Sequence, residues 1–277
     1  MTDVSVNMTA KPLGAEVLSK VPAVTLGFWA IKILATTLGE TGGDTVTMTW
    51  LGETTSEANP YGYLIGTGIF GVLLIALVAL QIRARQFNAW LYWATIVAST
   101  TAGTTMADFF DRSLGIGYEG GAAVLLLLVL ASLTAWRLVE GTVSVNTVST
   151  PRAELFYWIT ITFSQTLGTA LGDWMADDAG LGFLGGAAIF GAALAGVAAL
   201  YSWTRVSRVT LFWAAFILTR PLGATLGDFL DKPHGHGGLA LSRPIASLVI
   251  AVVMVVLIAI LPQRPGSHTR ASDQATA

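Results

Sequence analysis

The chain has 277 residues, 53% of them hydrophobic and only 12% charged, with a formal net charge of −2 and a mean hydropathy of +0.66. A soluble domain carries roughly a quarter of its residues as charges, so this composition excludes an ordinary soluble globular protein. The lack of cysteine excludes disulfides and thiolate metal sites. Taken in chain order, Met1 to Lys20 is polar and lacks the basic-then-apolar layout of a cleaved signal, so the first apolar segment is expected to be retained. Eight apolar windows of the length needed to cross a hydrocarbon core follow, at about 22–42, 61–82, 88–107, 119–137, 153–172, 183–203, 207–227 and 241–262. The polar, small-residue tail 263–277 is expected to be disordered. The expected fold is an all-α polytopic membrane protein of eight transmembrane helices. It has a cytoplasmic segment 1–20, one membrane domain over 21–262 and a cytoplasmic tail.

Within the membrane domain one pattern recurs four times. A tryptophan is followed ten residues later by a glycine and five residues after that by an aspartate: Trp29–Gly39–Asp44, Trp93–Gly103–Asp108, Trp158–Gly168–Asp173 and Trp213–Gly223–Asp228. The starts lie 64, 65 and 55 residues apart, which divides the chain into repeats at about 21–84, 85–150, 151–205 and 206–262. Each unit reads as an odd-numbered span with the motif, a short Gly-rich loop and an even-numbered span. Two spans per unit return the chain to the same side, so the repeats are parallel copies, unlike inverted transporter repeats. A pseudo-fourfold ring or a pair of pairs satisfies this equally. The even spans are nearly free of polar side chains and begin with small residues such as Gly62, Gly66, Gly120, Gly121, Gly185 and Gly186. They read as a lipid-facing layer packed closely on the motif helices.

On a helix, positions four, seven, eight, eleven and fifteen residues after each tryptophan form one stripe about 100° wide. Position seven holds Thr36, Thr100, Gln165 and Arg220, and position eight holds Thr37, Thr101, Thr166 and Pro221. Position eleven holds Glu40, Thr104, Thr169 and Ala224, and the stripe ends in Asp44, Asp108, Asp173 and Asp228. Polar groups at membrane depth face protein or a water-filled cavity. Four inward stripes would line a central cavity with hydroxyls and close its outer end with carboxylates, the ligand set of hard cations such as Mg²⁺, Ca²⁺ and Mn²⁺. The plainer reading is that the threonines bond their own preceding turn and the aspartates cap the following loop. Trp29, Trp93, Trp158 and Trp213 read as interfacial anchors near the cytoplasmic ends of their spans.

Departures from the shared pattern mark further candidates. Lys32, Glu40 and Arg220 are ionisable groups inside spans, which are functional candidates by default. They form either an internal charge network, in which a cation displaces a basic group from its carboxylate, or static ion pairs that fix repeat order. Pro221 is expected to kink span seven and free a carbonyl. In the fourth loop Asp231, His234 and His236 stand close to Asp228, a donor set that suits a transition metal; a mobile Gly/His loop is the alternative.

Lys11, Lys20, Arg83, Arg85, Arg137, Arg152, Arg205, Arg208, Arg264 and Arg270 all fall on one side of the spans, and the opposite loops hold only Arg112, Lys232 and Arg243. The basic side is cytoplasmic by the positive-inside rule, with both termini on it. The far side is acidic, adding Glu53, Glu57, Asp111, Glu119, Asp177, Asp178 and Asp231 to the repeat aspartates. Such a rim concentrates cations.

The stretches FWAIKILATTLGETGGD, YWATIVASTTAGTTMAD, YWITITFSQTLGTALGD and FWAAFILTRPLGATLGD resemble a bacterial family of membrane proteins built from four tandem two-helix repeats of unknown function. Its members are described as uncharacterised membrane-anchored proteins. The resemblance covers Val21 to Leu261 and implies a bacterial inner-membrane location. Glu40–Thr41–Gly42–Gly43–Asp44 also weakly resembles the acidic motif of cation exporters, with an extra residue between the acids and no basic residue after the aspartate. The functional expectation is a transporter of a small cation, a divalent metal ion being the class suited to the ligands. A carrier of a small organic or anionic solute using Arg220 and Lys32, and a non-transporting scaffold, are the alternatives. No Ser–His pairing, zinc motif, phosphate loop or cofactor fingerprint is present, so neither enzymatic activity nor a cofactor is expected. The lipid bilayer is the expected partner and nucleic acid is not.

Overall fold

A computed structural model describes residues 16–53 and 61–269. Lys11, Glu57 and Arg270, assigned to loops above, lie outside them. Eight α-helices run in chain order: α1 (Leu26–Asp44), α2 (Gly62–Arg83), α3 (Ala89–Asp108), α4 (Tyr118–Glu140), α5 (Pro151–Asp173), α6 (Gly182–Trp203), α7 (Arg208–Asp231) and α8 (Arg243–Ile260). The four motif helices each begin with a side-chain cap. Thr25, Asn88, Thr150 and Ser207 accept bonds from the backbone N–H groups of Phe28, Leu91, Ala153 and Thr210, which satisfies one of the donors orphaned at a helix start. The helices do not stop at the motif aspartate. Beyond α1, α3 and α5 the chain continues in π-helical turns over Thr45–Trp50, Phe109–Ser113 and Trp174–Asp178. The expected Gly-rich loops therefore begin about a turn later than the sequence suggests.

The motif helices contact one another in a closed ring, α1 to α3 to α5 to α7 and back to α1. Two sets of repeated contacts make the ring. The motif glycines Gly39, Gly103, Gly168 and Gly223 lie against Thr100, Gln165, Arg220 and Thr36 of the next motif helix, so closely that a Cβ at any of them would fall within 2.9 Å of a neighbouring atom. At the other end, the aromatic residue before each tryptophan packs on the next repeat's tryptophan. Ring centroids are 5.4 Å apart for Phe28–Trp93, 5.8 Å for Tyr92–Trp158, 6.3 Å for Tyr157–Trp213 and 5.7 Å for Phe212–Trp29. This corrects the reading of the tryptophans as interfacial anchors: Trp93, Trp158 and Trp213 are buried, because a large ring between two helices excludes more apolar surface from water than one at the rim.

Each outer helix packs on the motif helix of the following repeat, α2 on α3, α4 on α5, α6 on α7 and α8 on α1. Five helices, α2, α4, α6, α7 and α8, are long and apolar enough to cross a membrane by length and composition. The other three, α1, α3 and α5, carry the polar stripe, which lowers their apolar content below that of the outer helices. Ile69, Val72 and Ile75 on α2, Val124 and Leu127 on α4 and Leu248, Val249 and Val252 on α8 are exposed, a continuous apolar exterior that suits lipid.

The two ends of the described residues meet. Strand β1 (Glu16–Pro22) pairs antiparallel with β2 (Pro265–Thr269), with Val17 opposite His268 and Leu18 opposite Ser267. Part of the tail expected to be disordered is thus ordered. Ser19 Oγ donates to Val145 O at 2.6 Å, and Lys20 pairs with Glu154 at 2.6 Å. The small sheet covers the tryptophan end of the ring.

Candidate functional site

The ring brings the four motif aspartates together, and all are buried: Asp44, Asp108, Asp173 and Asp228 are 1–3% exposed. Asp44, Asp108 and Asp173 do not act as caps, since they make no side-chain bond to the turn that follows. Each instead meets a cation. Arg112 places Nε 3.1 Å from Asp108 Oδ1 and Nη2 3.2 Å from Asp173 Oδ2. Lys232 Nζ lies 3.1 Å from Asp228 Oδ1 and also pairs with Asp44. Arg243 Nε stands 3.7 Å from Asp231 and 4.0 Å from Asp44. Burial works against the charge on Lys232, yet the carboxylates of Asp228 and Asp44 hold its proton well above the ordinary lysine range.

Arg112 and Lys232 are the cations the sequence reading passed over as isolated basic residues on an acidic side. The signal was present in the spacing. Both stand four residues after a motif aspartate, in Asp108–Phe109–Phe110–Asp111–Arg112 and Asp228–Phe229–Leu230–Asp231–Lys232, while repeats one and three have Met48 and Asp177 there. The helix ring is thus fourfold in its packing, and its charges are twofold.

One layer inward from the aspartates lie the residues eleven after each tryptophan. Arg220 Nη2 reaches into this layer and lies 2.9 Å from Glu40 Oε2, 2.6 Å from Thr104 Oγ1 and 2.5 Å from Thr169 Oγ1. Glu40 and Arg220 therefore form a buried ion pair. Gly227 allows α1 to approach at this point, since a Cβ there would lie 2.7 Å from Glu40 Cβ. The approach gathers a carboxylate oxygen each from Glu40, Asp44 and Asp228 within 4.8 Å of one another. Several buried atoms around the layer have no hydrogen-bond partner: Asp44 Oδ1, Arg220 Nε and Nη1, and both polar atoms of the Gln165 amide.

The remaining sequence candidates fall elsewhere. Lys32 does not join Glu40 and Arg220; its Nζ lies 3.3 Å from Thr219 Oγ1 and 4.2 Å from the centre of the Phe216 ring. Thr37, Thr101 and Thr166 donate to the carbonyls of Ile33, Val97 and Thr162 in their own helices, so these hydroxyls line no path. Only Thr104 and Thr169 of the named threonines face the ion pair. The expected wet centre is filled over the tryptophan half, where Ile96, Ile161 and Phe216 join Tyr92, Trp93, Tyr157, Trp158 and Trp213 in one buried apolar cluster. The transition-metal set also separates: His234 and His236 are exposed, His234 Nδ1 bonds Gly238 O at 3.0 Å, and Asp231 turns inward beside Arg243. Helix α7 passes through Pro221 without a break, with the proline ring against Gly168. A groove of about 910 Å³ opens between α1, α6 and α7 on the tryptophan side and reaches Thr219, the residue that holds Lys32.

A family model described as Repeat of Unknown Function (DUF347) matches residues 27–87, 91–142, 156–207 and 211–262. The chain belongs to this family, with four copies of the repeat covering each of the two-helix units. No curated protein and no solved structure matches it.

Proposed function

We propose that this member of a family defined by its repeat is an integral membrane carrier of a small cation, with a divalent metal ion as the substrate class. In this reading all eight helices cross a bacterial inner membrane, both termini are cytoplasmic and the aspartate end faces outward. The observation that carries it is the convergence of Glu40, Asp44 and Asp228 on one buried point, because three carboxyl groups held together away from water need protons or cations among them and offer the all-oxygen ligand set of a hard cation. A carrier fits better than an open channel. The acid cluster includes Glu40 of the ion pair, and the groove on the tryptophan side ends at Thr219, next to Arg220 in the chain. In this reading the buried Glu40–Arg220 pair is the barrier to free passage.

An anionic solute would have to take Arg220 from Glu40, Thr104 and Thr169, so the geometry favours a cation. No cofactor and no enzymatic step belong to this reading. The test is uptake of Mn²⁺ and Mg²⁺ into proteoliposomes holding the purified chain. Asp44→Asn and Asp228→Asn are expected to abolish flux in protein that still folds and inserts. Wild-type flux in the double variant would remove the carboxylates from the path. Absence of flux in the wild type, with every one of these changes tolerated, would favour a scaffold.

A further inference from the structure

Repeats two and four place a basic side chain at the same position, but the two side chains hold their aspartates differently. Arg112 pairs through two separate nitrogens of one rigid guanidinium: Nε lies 3.1 Å from Asp108 without a hydrogen bond, and Nη2 donates to Asp173 at 3.2 Å. Lys232 offers one ammonium on a flexible stem to both Asp44 and Asp228. The surroundings differ in the same sense. The residues at the position of Glu40 in repeats two and three are Thr104 and Thr169, so Asp108 and Asp173 have no third carboxylate from this layer, whereas Asp44 and Asp228 have Glu40. Asp44 keeps Oδ1 buried with no hydrogen-bond partner while Oδ2 carries the lysine. The point shared by Asp44 and Asp228 is thus a cation position, filled by the protein's own charge.

Resting on the carrier reading above, we propose that Lys232 is a tethered stand-in for the substrate, and that a divalent cation enters by displacing its ammonium from Asp44 and Asp228. Asp108, Arg112 and Asp173 form a fixed clasp that holds the ring and binds no substrate. Exchange of a singly charged group for a doubly charged ion among three carboxylates favours the divalent class. The displaced ammonium has a carboxylate on the preceding residue, Asp231, which is buried with neither oxygen hydrogen-bonded and is held only by the 3.7 Å ion pair to Arg243. Only half of the acidic ring then works as a site, although all four repeats supply an aspartate.

The experiment measures the thermal midpoint of the purified full-length chain against Mn²⁺ concentration, alongside Mn²⁺ flux. Lys232→Gln is expected to melt lower than wild type without metal, to recover with Mn²⁺, and to reach half-saturation at a concentration roughly tenfold lower or less. Lys232→Arg, which restores a rigid fork, is expected to fold normally and to lose the response to Mn²⁺. Arg112→Lys is expected to keep the wild-type half-saturation. An unchanged half-saturation in Lys232→Gln, or a wild-type response in Lys232→Arg, overturns the displacement. If Asp44→Asn still abolishes binding and flux in that case, the carrier reading stands without it. If Mn²⁺ affects neither wild type nor Lys232→Gln, both fall together.

Discussion

The two ends of the inner ring are built on one backbone plan and solved by different chemistry. At the tryptophan end every repeat contributes a tryptophan and a phenylalanine or tyrosine before it, and the contacts close around all four helices. The polar tips there find local partners: Tyr92 and Tyr157 share a hydroxyl–hydroxyl bond of 2.6 Å, and Trp213 Nε1 donates to Val143 O at 2.9 Å. At the aspartate end every repeat again contributes the same residue, but neutralisation comes from only two repeats and leaves a buried carboxylate oxygen of Asp44 unbonded. Apolar packing can be copied without change because it only needs matching shapes. A charged site cannot, because four aspartates need unlike partners, and the mismatch between copies is where selectivity can arise.

That contrast can be broken at several points. The largest effect is expected from Trp93→Ala, which removes a ring that is 1% exposed. It should cost about 3–5 kcal/mol of stability in a denaturation experiment and leave Mn²⁺ half-saturation of the remaining folded protein unchanged. A shift in half-saturation would show that the two ends act as one unit. Next comes the ion pair between the two halves. Arg220→Met strands a buried Glu40, and Glu40→Gln strands Arg220, whereas the double variant strands neither. A double-mutant cycle should return a coupling of about 2–3 kcal/mol; additive losses would reduce the pair to two independent packing residues. The smallest effect belongs to Asp111, in the turn beyond α3. Burial pushes its carboxyl up to about 6, against the pull of the neighbouring Arg112. Its folded-state value lies above the ordinary one of about 3.9, so the stability it contributes is present in full below about pH 4 and lost as pH rises through about 6. Asp111→Asn should flatten the fall of the thermal midpoint across that window, and an unaltered slope would assign the pH dependence to other groups.

Much of this was legible from spacing alone. The helix count, the four parallel units and the inward turn of Asp44, Asp108, Asp173 and Asp228 follow from a pattern that never slips, because a fixed register on a helix is a fixed direction. The pairing of Glu40 with Arg220 was foreshadowed by their being the odd members of their layers. Lys32 was misjudged for a geometric reason: it lies eight residues before Glu40, about two turns along the same helix, too far to share its partner. The burial of Trp93, Trp158 and Trp213 is not legible in the sequence because composition near a helix end cannot tell lipid from a neighbouring helix. The path was drawn too wide as well, since Thr37, Thr101 and Thr166 found acceptors within their own helices. Arg112 and Lys232 needed comparison of repeat two with repeat four, across a twofold pattern hidden within a fourfold one.

The pairing of each outer helix with the next repeat's motif helix bears on how the protein is made. Helix α1 carries Lys32 and Glu40 and precedes the other seven helices in the chain, yet its helix neighbours are α3, α7 and α8, and the guanidinium that neutralises Glu40 is encoded 180 residues later. In the eight-span reading proposed above, α1 has to be sheltered from lipid until α7 arrives. In that reading a chain interrupted before α7 leaves Glu40 without Arg220 and Lys32 without Thr219 at membrane depth.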